Sequence, residues 1–104
     1  MSSYRQRDVV LAPFSFYPGD SPKVRPAIVL LEEAGDILIA PCSRRQTDSL
    51  LAITIDIDDF EEGGLELFEE SVVLVAHQAK IPKRRIISKK GRLTREAFER
   101  IMNR

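Results

Sequence analysis

The sequence predicts a small, mainly β protein: a compact, mostly antiparallel barrel finished by one short C-terminal helix. Three observations carry this prediction. Apolar residues come in short runs rich in Val and Ile, each about the length of a strand. Turn-forming Gly, Pro, Asp and Ser separate those runs. Only the last dozen residues change to the three- and four-residue spacing of a helix.

Asp8-Val9-Val10-Leu11-Ala12 reads as a first strand closed by Pro13, and Phe14 to Lys23, with Pro18, Gly19, Asp20, Ser21 and Pro22, as a long loop. Ala27-Ile28-Val29-Leu30-Leu31 is apolar without alternation, the pattern of a strand covered on both faces. Gly35 separates it from Asp36-Ile37-Leu38-Ile39-Ala40, so these two form a hairpin, with Pro41 ending the second strand. Leu50 to Ile55 resumes strand character, and Gly63-Gly64 interrupts an acidic stretch. Ser71 to Ala76 is the strongest strand, Lys80-Ile81-Pro82 a further extended piece, and Ile86-Ile87-Ser88 leads into a turn at Lys89-Lys90-Gly91. Thr94 is placed to cap the helix, Glu96 suits its first turn, and Leu93 with Phe98 suits a hydrophobic staple. Ala97, Phe98, Ile101 and Met102 form the apolar stripe. Five to seven strands and one helix result, in a single domain spanning residues 1–104.

Length and composition agree with one ordinary domain. The chain has 104 residues, 43% hydrophobic and 31% charged, which excludes disordered and fibrous classes. A core of this size is modest, so a second subunit would add stability. Cys42 is the single cysteine, so no internal disulfide forms. No apolar leader and no run long enough to span a bilayer are present, which gives a cytoplasmic expectation with no membrane role. The formal charge is zero but unevenly spread. Residues 53–70 hold eight acidic and no basic residues, while residues 71–104 hold ten basic and two acidic ones. A basic C-terminal third suits a polyanion if it gathers on one face.

The common enzyme signatures are missing. One histidine, His77, and one cysteine do not make a zinc site, and no Gly-rich phosphate loop or dinucleotide fingerprint occurs. No metal or cofactor is expected. Asp56-Ile57-Asp58-Asp59 lacks the glycine and distal Glu of a calcium loop and reads as a solvated acidic loop. With no Trp and 7% aromatics, a stacking platform for single-stranded RNA rests on Phe14, Phe16 and Tyr17.

Arg25 draws attention for a physical reason. Pro26 pushes it toward an extended conformation and opens the strand at a position needing no ladder donor. A guanidinium is thereby held at a strand mouth, where its planar fork suits phosphate. On its own it reads more simply as a surface arginine in an ordinary loop. Its surroundings add to this. Asp8 to Phe16, Lys23-Val24-Arg25-Pro26-Ala27-Ile28-Val29-Leu30 and Ile39-Ala40-Pro41-Cys42-Ser43 closely resemble the opening strands of the PemK/MazF-like toxin family. Ser71 to Leu74 and Gly91-Arg92-Leu93-Thr94 resemble its later strand and the lead into its final helix. Two departures stand out: Arg7 occupies a position where the family commonly has glycine, and residues 17–24 match no particular subgroup.

The resemblance implies an SH3-like barrel, a homodimer, and metal-independent cleavage of single-stranded RNA, the activity of an mRNA interferase. It also implies a cognate acidic antitoxin in the RNA groove, with DNA contacted only through that antitoxin. Arg25 matches the family's catalytic arginine, and Ser43 stands where the family usually has Thr or Ser. Phe16, Tyr17, Lys23, Arg44, Arg45, Lys80 and Arg84 are the expected RNA-binding residues, with Lys83, Arg85, Lys89 and Lys90 extending the track. Arginine is a poor general base; His77 and Asp20 are the alternatives for proton transfer. Two other readings stay open: a noncatalytic small barrel binding nucleic acid or protein, such as a degenerate toxin, and a structural module with no RNA role.

Overall fold

The structure is a computed structural model that describes residues 4–15, 19, 21–43, 52–64 and 71–103. Among these residues it holds eight strands, one more than the upper expectation, and one helix: β1 (Asp8–Phe14), β2 (Lys23–Glu33), β3 (Asp36–Ser43), β4 (Ala52–Ile55), β5 (Phe60–Gly63), β6 (Ser71–Leu74), β7 (Ala79–Pro82), β8 (Ser88–Leu93) and α1 (Arg95–Met102). Among the described residues, short 3-10 turns at 57–59, 75–77 and 83–85 join neighbouring strands.

All pairings are antiparallel. The sheet runs β4-β6-β3-β2-β1-β8-β5, and β7 adds to β3 off this path. Among the described residues β4 and β5 do not pair with each other, so the sheet stays open where a closed barrel would have joined its ends. Strand β3 organises the molecule. Its inner edge pairs with β2, and its outer edge is shared by β7 (Asp36 to Ile39) and β6 (Cys42 and Ser43). The 3-10 turn Val75–His77 carries the chain from one to the other.

Two prolines expected to end strands lie inside them. Pro41 falls in the gap on β3's outer edge between the last β7 pair, at Ile39, and the first β6 pair, at Cys42. Pro13 lies beyond Leu11, where β8 has ended and β1 keeps only β2 beside it. A missing N–H costs little at such an open edge. The turn expected at residues 89–91 is instead the middle of β8, because β8 pairs with β1 on one side and β5 on the other. The acidic stretch, in which only residues 56–59 read as a solvated loop, also supplies β5. Its first part is a capped turn in which Asp56 Oδ1 accepts the Asp58 N–H at 2.9 Å and Asp59 Oδ2 accepts the Asp56 N–H at 3.0 Å.

Strand β2 is buried on both faces from Ala27 to Leu30, as its unbroken apolar run implies. Strand alternation lets that run feed two clusters, Ile28 and Leu30 on one face and Ala27 and Val29 on the other. One side of the sheet gathers Val9, Ile28, Leu30, Ala40, Cys42, Ile55, Val73 and Leu93 beneath Ala97, Phe98 and Ile101 of α1. The other gathers Val10, Ala12, Phe14, Ala27, Val29, Ile37 and Ile39 with Tyr4 and Ile86. Helix α1 starts as expected, with the Thr94 hydroxyl accepting the Ala97 N–H at 3.2 Å. Met102, expected in the stripe, is 47% exposed because α1 ends there.

Candidate active site and nucleic-acid interface

Strands β1 and β2 run past the β8 pairing to Phe14 and Lys23, and β3 runs toward Ser43, so three strand ends meet at one end of the sheet. Arg25 pairs with Ala12 across β1. On its other side, the β2–β3 register runs Val29↔Ile39, Ile28↔Ala40, Ala27↔Pro41. The ladder ends at that last pair, two residues short of Arg25 on β2 and of Ser43 on β3, so the hairpin brings the two residues singled out as catalytic, 18 positions apart in sequence, to the same end of the sheet.

Strand alternation also sets their face. Lys23, Arg25 and Ala27 share one side of β2, and Ala12 and Phe14 share the matching side of β1. Ala12, Phe14 and Ala27 belong to the second cluster. Arg25, Lys23 and Ser43 thus rim an apolar floor that ends in Phe14. Arg25 is half-buried and its Nε is shielded from solvent. Its partner Ala12 is small, which leaves room for a guanidinium above the sheet. Ala12 was not singled out as a site residue from sequence; the signal was present in the alternation Val10-Ala12-Phe14, whose other members are larger.

The remaining RNA-binding candidates divide. Lys23 lies beside Arg25, opposite Phe14. Phe16, Tyr17, Arg44 and Arg45 lie outside the described residues, as does Asp20. Lys80 is distant: it pairs with Leu38, five residues from Ser43, about 17 Å along the strand. It is held by Glu33 at 2.8 Å, whose hydrogen bond and charge raise the lysine's pKa. Arg84 is exposed in the turn after Pro82, which pairs with Asp36 at the other end of β3. His77 is exposed in the turn along β3 between Ile39 and Cys42, at the Ser43 end.

The basic C-terminal third does not form one uninterrupted positive face, because the acidic residues of the chain pair with it. Arg100 meets Asp59 at 3.0 Å, Lys89 meets Glu62 at 3.0 Å, and Lys83 meets Glu32 at 3.0 Å. Asp8, the buried carboxylate at the start of β1, accepts from Arg92 Nε at 3.1 Å and from the Arg5 N–H at 2.9 Å, with Lys89 at 3.4 Å. Cys42, one residue from Ser43, is buried in the first cluster, and burial pushes its thiol pKa up to about 12. A thiol held protonated in this way is a packing residue and not a nucleophile.

An open antiparallel sheet with one terminal helix, and with Arg25 and Ser43 at one sheet end, defines a small, mainly β domain. The chain belongs to the family of PemK-like, MazF-like toxins of type II toxin–antitoxin systems, whose model matches residues 5–104. Among solved structures it is similar to the toxin MazF-mt6 of Mycobacterium tuberculosis, with 17% identity, a TM-score of 0.71, and coverage of 93% of this chain and 90% of the other. It is also similar to the MazE–MazF structure from Deinococcus radiodurans, with 18% identity, a TM-score of 0.71, and coverage of 96% and 90%. A third is an endoribonuclease in complex with its cognate antitoxin from a mycobacterial species, at 9% identity and a TM-score of 0.69, covering 97% and 96%. Comparison with curated proteins gives no sequence match.

Proposed function

We propose that the protein is the toxin of a toxin–antitoxin pair and cleaves single-stranded RNA without a metal, with Arg25 and Ser43 acting on the scissile phosphate. The observation that supports this reading is the β2–β3 hairpin, whose ladder ends at Ala27 and Pro41 with Arg25 and Ser43, both half-buried, two residues further along each strand. In the reaction the substrate's 2′-oxygen bonds to the adjacent phosphorus and the bond from phosphorus to the 5′-oxygen breaks. The 2′-hydroxyl proton leaves to a base, and the departing 5′-oxygen takes up a proton. The products are a 2′,3′-cyclic phosphate and a 5′-hydroxyl. Arg25 stabilises the charge that builds on the non-bridging oxygens, usually the largest single contribution in such reactions. The Ser43 hydroxyl donates a further hydrogen bond to the same group. Lys23 holds a flanking phosphate. For proton transfer, His77 is the imidazole that the topology brings to the Ser43 end of β3, and imidazole is the usual proton carrier near neutral pH. Under this reading an acidic antitoxin blocks the rim, and two copies of the chain form the active dimer.

The test is incubation of the purified protein with single-stranded RNA in EDTA, followed by analysis of the product ends. Arg25→Ala is expected to lower the rate by more than about a hundredfold, and Ser43→Ala by on the order of a hundredfold. RNA that binds but stays intact would favour the noncatalytic reading. Equal cleavage by native protein and Arg25→Ala would overturn the assignment.

A further inference from the structure

At the Asp8 end of β1, away from Arg25, a cavity of about 410 Å³ opens between the N-terminal segment, β8 and α1. Its walls are Arg5, Arg7, Arg92 and Arg95, with Gln6, over Phe98. Four guanidiniums around one cleft repel one another unless something negative lies among them. Two are balanced within the chain: Arg7 Nη1 meets Glu61 at 2.9 Å, and Arg92 Nε meets the buried Asp8 at 3.1 Å. Lys89, which also reaches Asp8 at 3.4 Å, is matched by Glu62 at 3.0 Å. Arg5 and Arg95 are exposed and have no acidic partner among the described residues. Four guanidiniums against two carboxylates leave an excess of two positive charges at the cleft. Arg95 is also the first residue of α1, where the helix dipole adds to the positive potential.

The donors select the ligand. Asp8 fixes Arg92 through Nε and leaves its two terminal nitrogens for another acceptor. The Arg92 side chain is only 14% exposed, so it is held in place before any ligand arrives and loses little freedom on binding one. A carboxylate offers two oxygens in one plane and fits one guanidinium fork. Guanidiniums arriving from three segments need acceptors that face several directions, which a tetrahedral phosphate has. Charge alone admits a single phosphate, which carries about −1.5 to −2. Size selects a longer chain, because the cavity lies in the range of roughly 300–1,000 Å³ that encloses whole small molecules. Phe98 is the one aromatic side chain among the described walls and is 8% exposed, so no pair of rings is present to clasp a base.

We infer that this cleft binds a phosphoanhydride chain, whether free pyrophosphate or the diphosphate of a small nucleotide, through Arg5, Arg92 and Arg95. Occupation cancels the excess charge and ties the N-terminal segment to the first turn of α1, so the ligand stabilises the folded protein. No bond is made or broken. The site lies at the other end of β1 from Arg25 and does not depend on whether the protein cuts RNA.

Calorimetric titration and thermal unfolding at low ionic strength, in a phosphate-free buffer, test it with pyrophosphate, ADP, UDP, inorganic phosphate and sulfate. Pyrophosphate and the two nucleotides are expected to bind within about threefold of one another and to raise the thermal midpoint, with phosphate and sulfate at least about tenfold weaker. Equal affinities make the chain alone the ligand, and a tighter nucleotide makes this a nucleotide site; both keep the inference. Arg5→Ser/Arg95→Ser should lower pyrophosphate affinity at least about tenfold, whereas Arg84→Ser/Arg85→Ser, which removes two exposed arginines elsewhere, should leave it unchanged. Without ligand, Arg5→Ser/Arg95→Ser should unfold at or above the native midpoint, because two repelling charges are gone, which separates loss of the site from loss of the fold. Absence of saturable binding of pyrophosphate and ADP up to about 1 mM overturns the inference. So does an equal loss in the two double variants, or phosphate and sulfate binding as tightly as pyrophosphate. Oligouridylate that displaces pyrophosphate and loses affinity in Arg5→Ser/Arg95→Ser overturns it in favour of a nucleic-acid track. A native protein that binds pyrophosphate at this cleft but cuts no RNA keeps the site and removes the catalytic reading, so the two can fail separately.

Discussion

Arg7 shows how much a single residue's backbone can carry. Its φ is +79°, the only positive value among the described residues other than glycines. The conformation is imposed by three strands at once: the Arg7 N–H donates to the Val29 carbonyl at 3.1 Å, the Arg7 carbonyl accepts from Leu93 at 2.8 Å, and the next residue is the buried Asp8. A side chain in this region costs about 1 kcal/mol or more relative to glycine. The Glu61 ion pair, partly exposed, offsets about 0.5 kcal/mol of that. Glycine, which the family commonly has here, removes the strain outright. Arg7→Gly should therefore be more stable than Arg7→Ala by about 1 kcal/mol in urea unfolding, since both lose the ion pair and only alanine keeps the strain. Equal midpoints for the two variants would show that the left-handed backbone costs nothing here.

Among the elements, β5 and β8 are held by a contact that only glycine permits. Gly63 pairs with Gly91, and a Cβ on Gly91 would lie 2.6 Å from the Glu62 carbonyl oxygen and 3.0 Å from the Gly64 nitrogen. Both obstacles are backbone, so neither can swing aside. Gly91→Ala should cost about 2 kcal/mol or more, seen as a lowered thermal midpoint, with β5 and the Phe60 packing disturbed first. A midpoint within a degree of the native value would mean that the two strands separate freely. The Gly63-Gly64 pair was visible in the sequence as a break, but a break and a strand end in close approach look alike in one dimension. Pro13 and Pro41 present the same difficulty. A proline ends a strand only when its missing N–H faces a neighbour, and which edge is open depends on where β8, β7 and β6 stop.

At the scale of the whole molecule, the sheet separates two apolar clusters, and the buried Cys42 reports on the integrity of the one beneath α1. Its folded pKa is raised from 9.0 to about 12 by burial. Between those values the unfolded chain loses the thiol proton while the folded one keeps it, so stability falls as pH rises through that window and is intact below it. Urea unfolding from pH 8 to 11 should show a steeper loss for the native protein than for Cys42→Ala; parallel curves would mean that the thiol is not buried in solution. By itself the sequence determined the mainly β class, the β2–β3 hairpin, the doubly covered β2, the capped terminal helix and the choice of Arg25 and Ser43, because each follows from local periodicity, turn chemistry or a family pattern. Tertiary structure alone decided that part of the acidic stretch is a strand and that at least half of the basic residues in the C-terminal third pair with the chain's own acids. It alone brought Arg25 and Ser43 to one end of the sheet while carrying Lys80 and Arg84 away, and it gathered Arg5, Arg7, Arg92 and Arg95 into one cleft. The physical reason is common to all of these. Registers and ion pairs join residues distant in the chain, and their energies depend on which strand edges meet, a property that no local window of sequence contains.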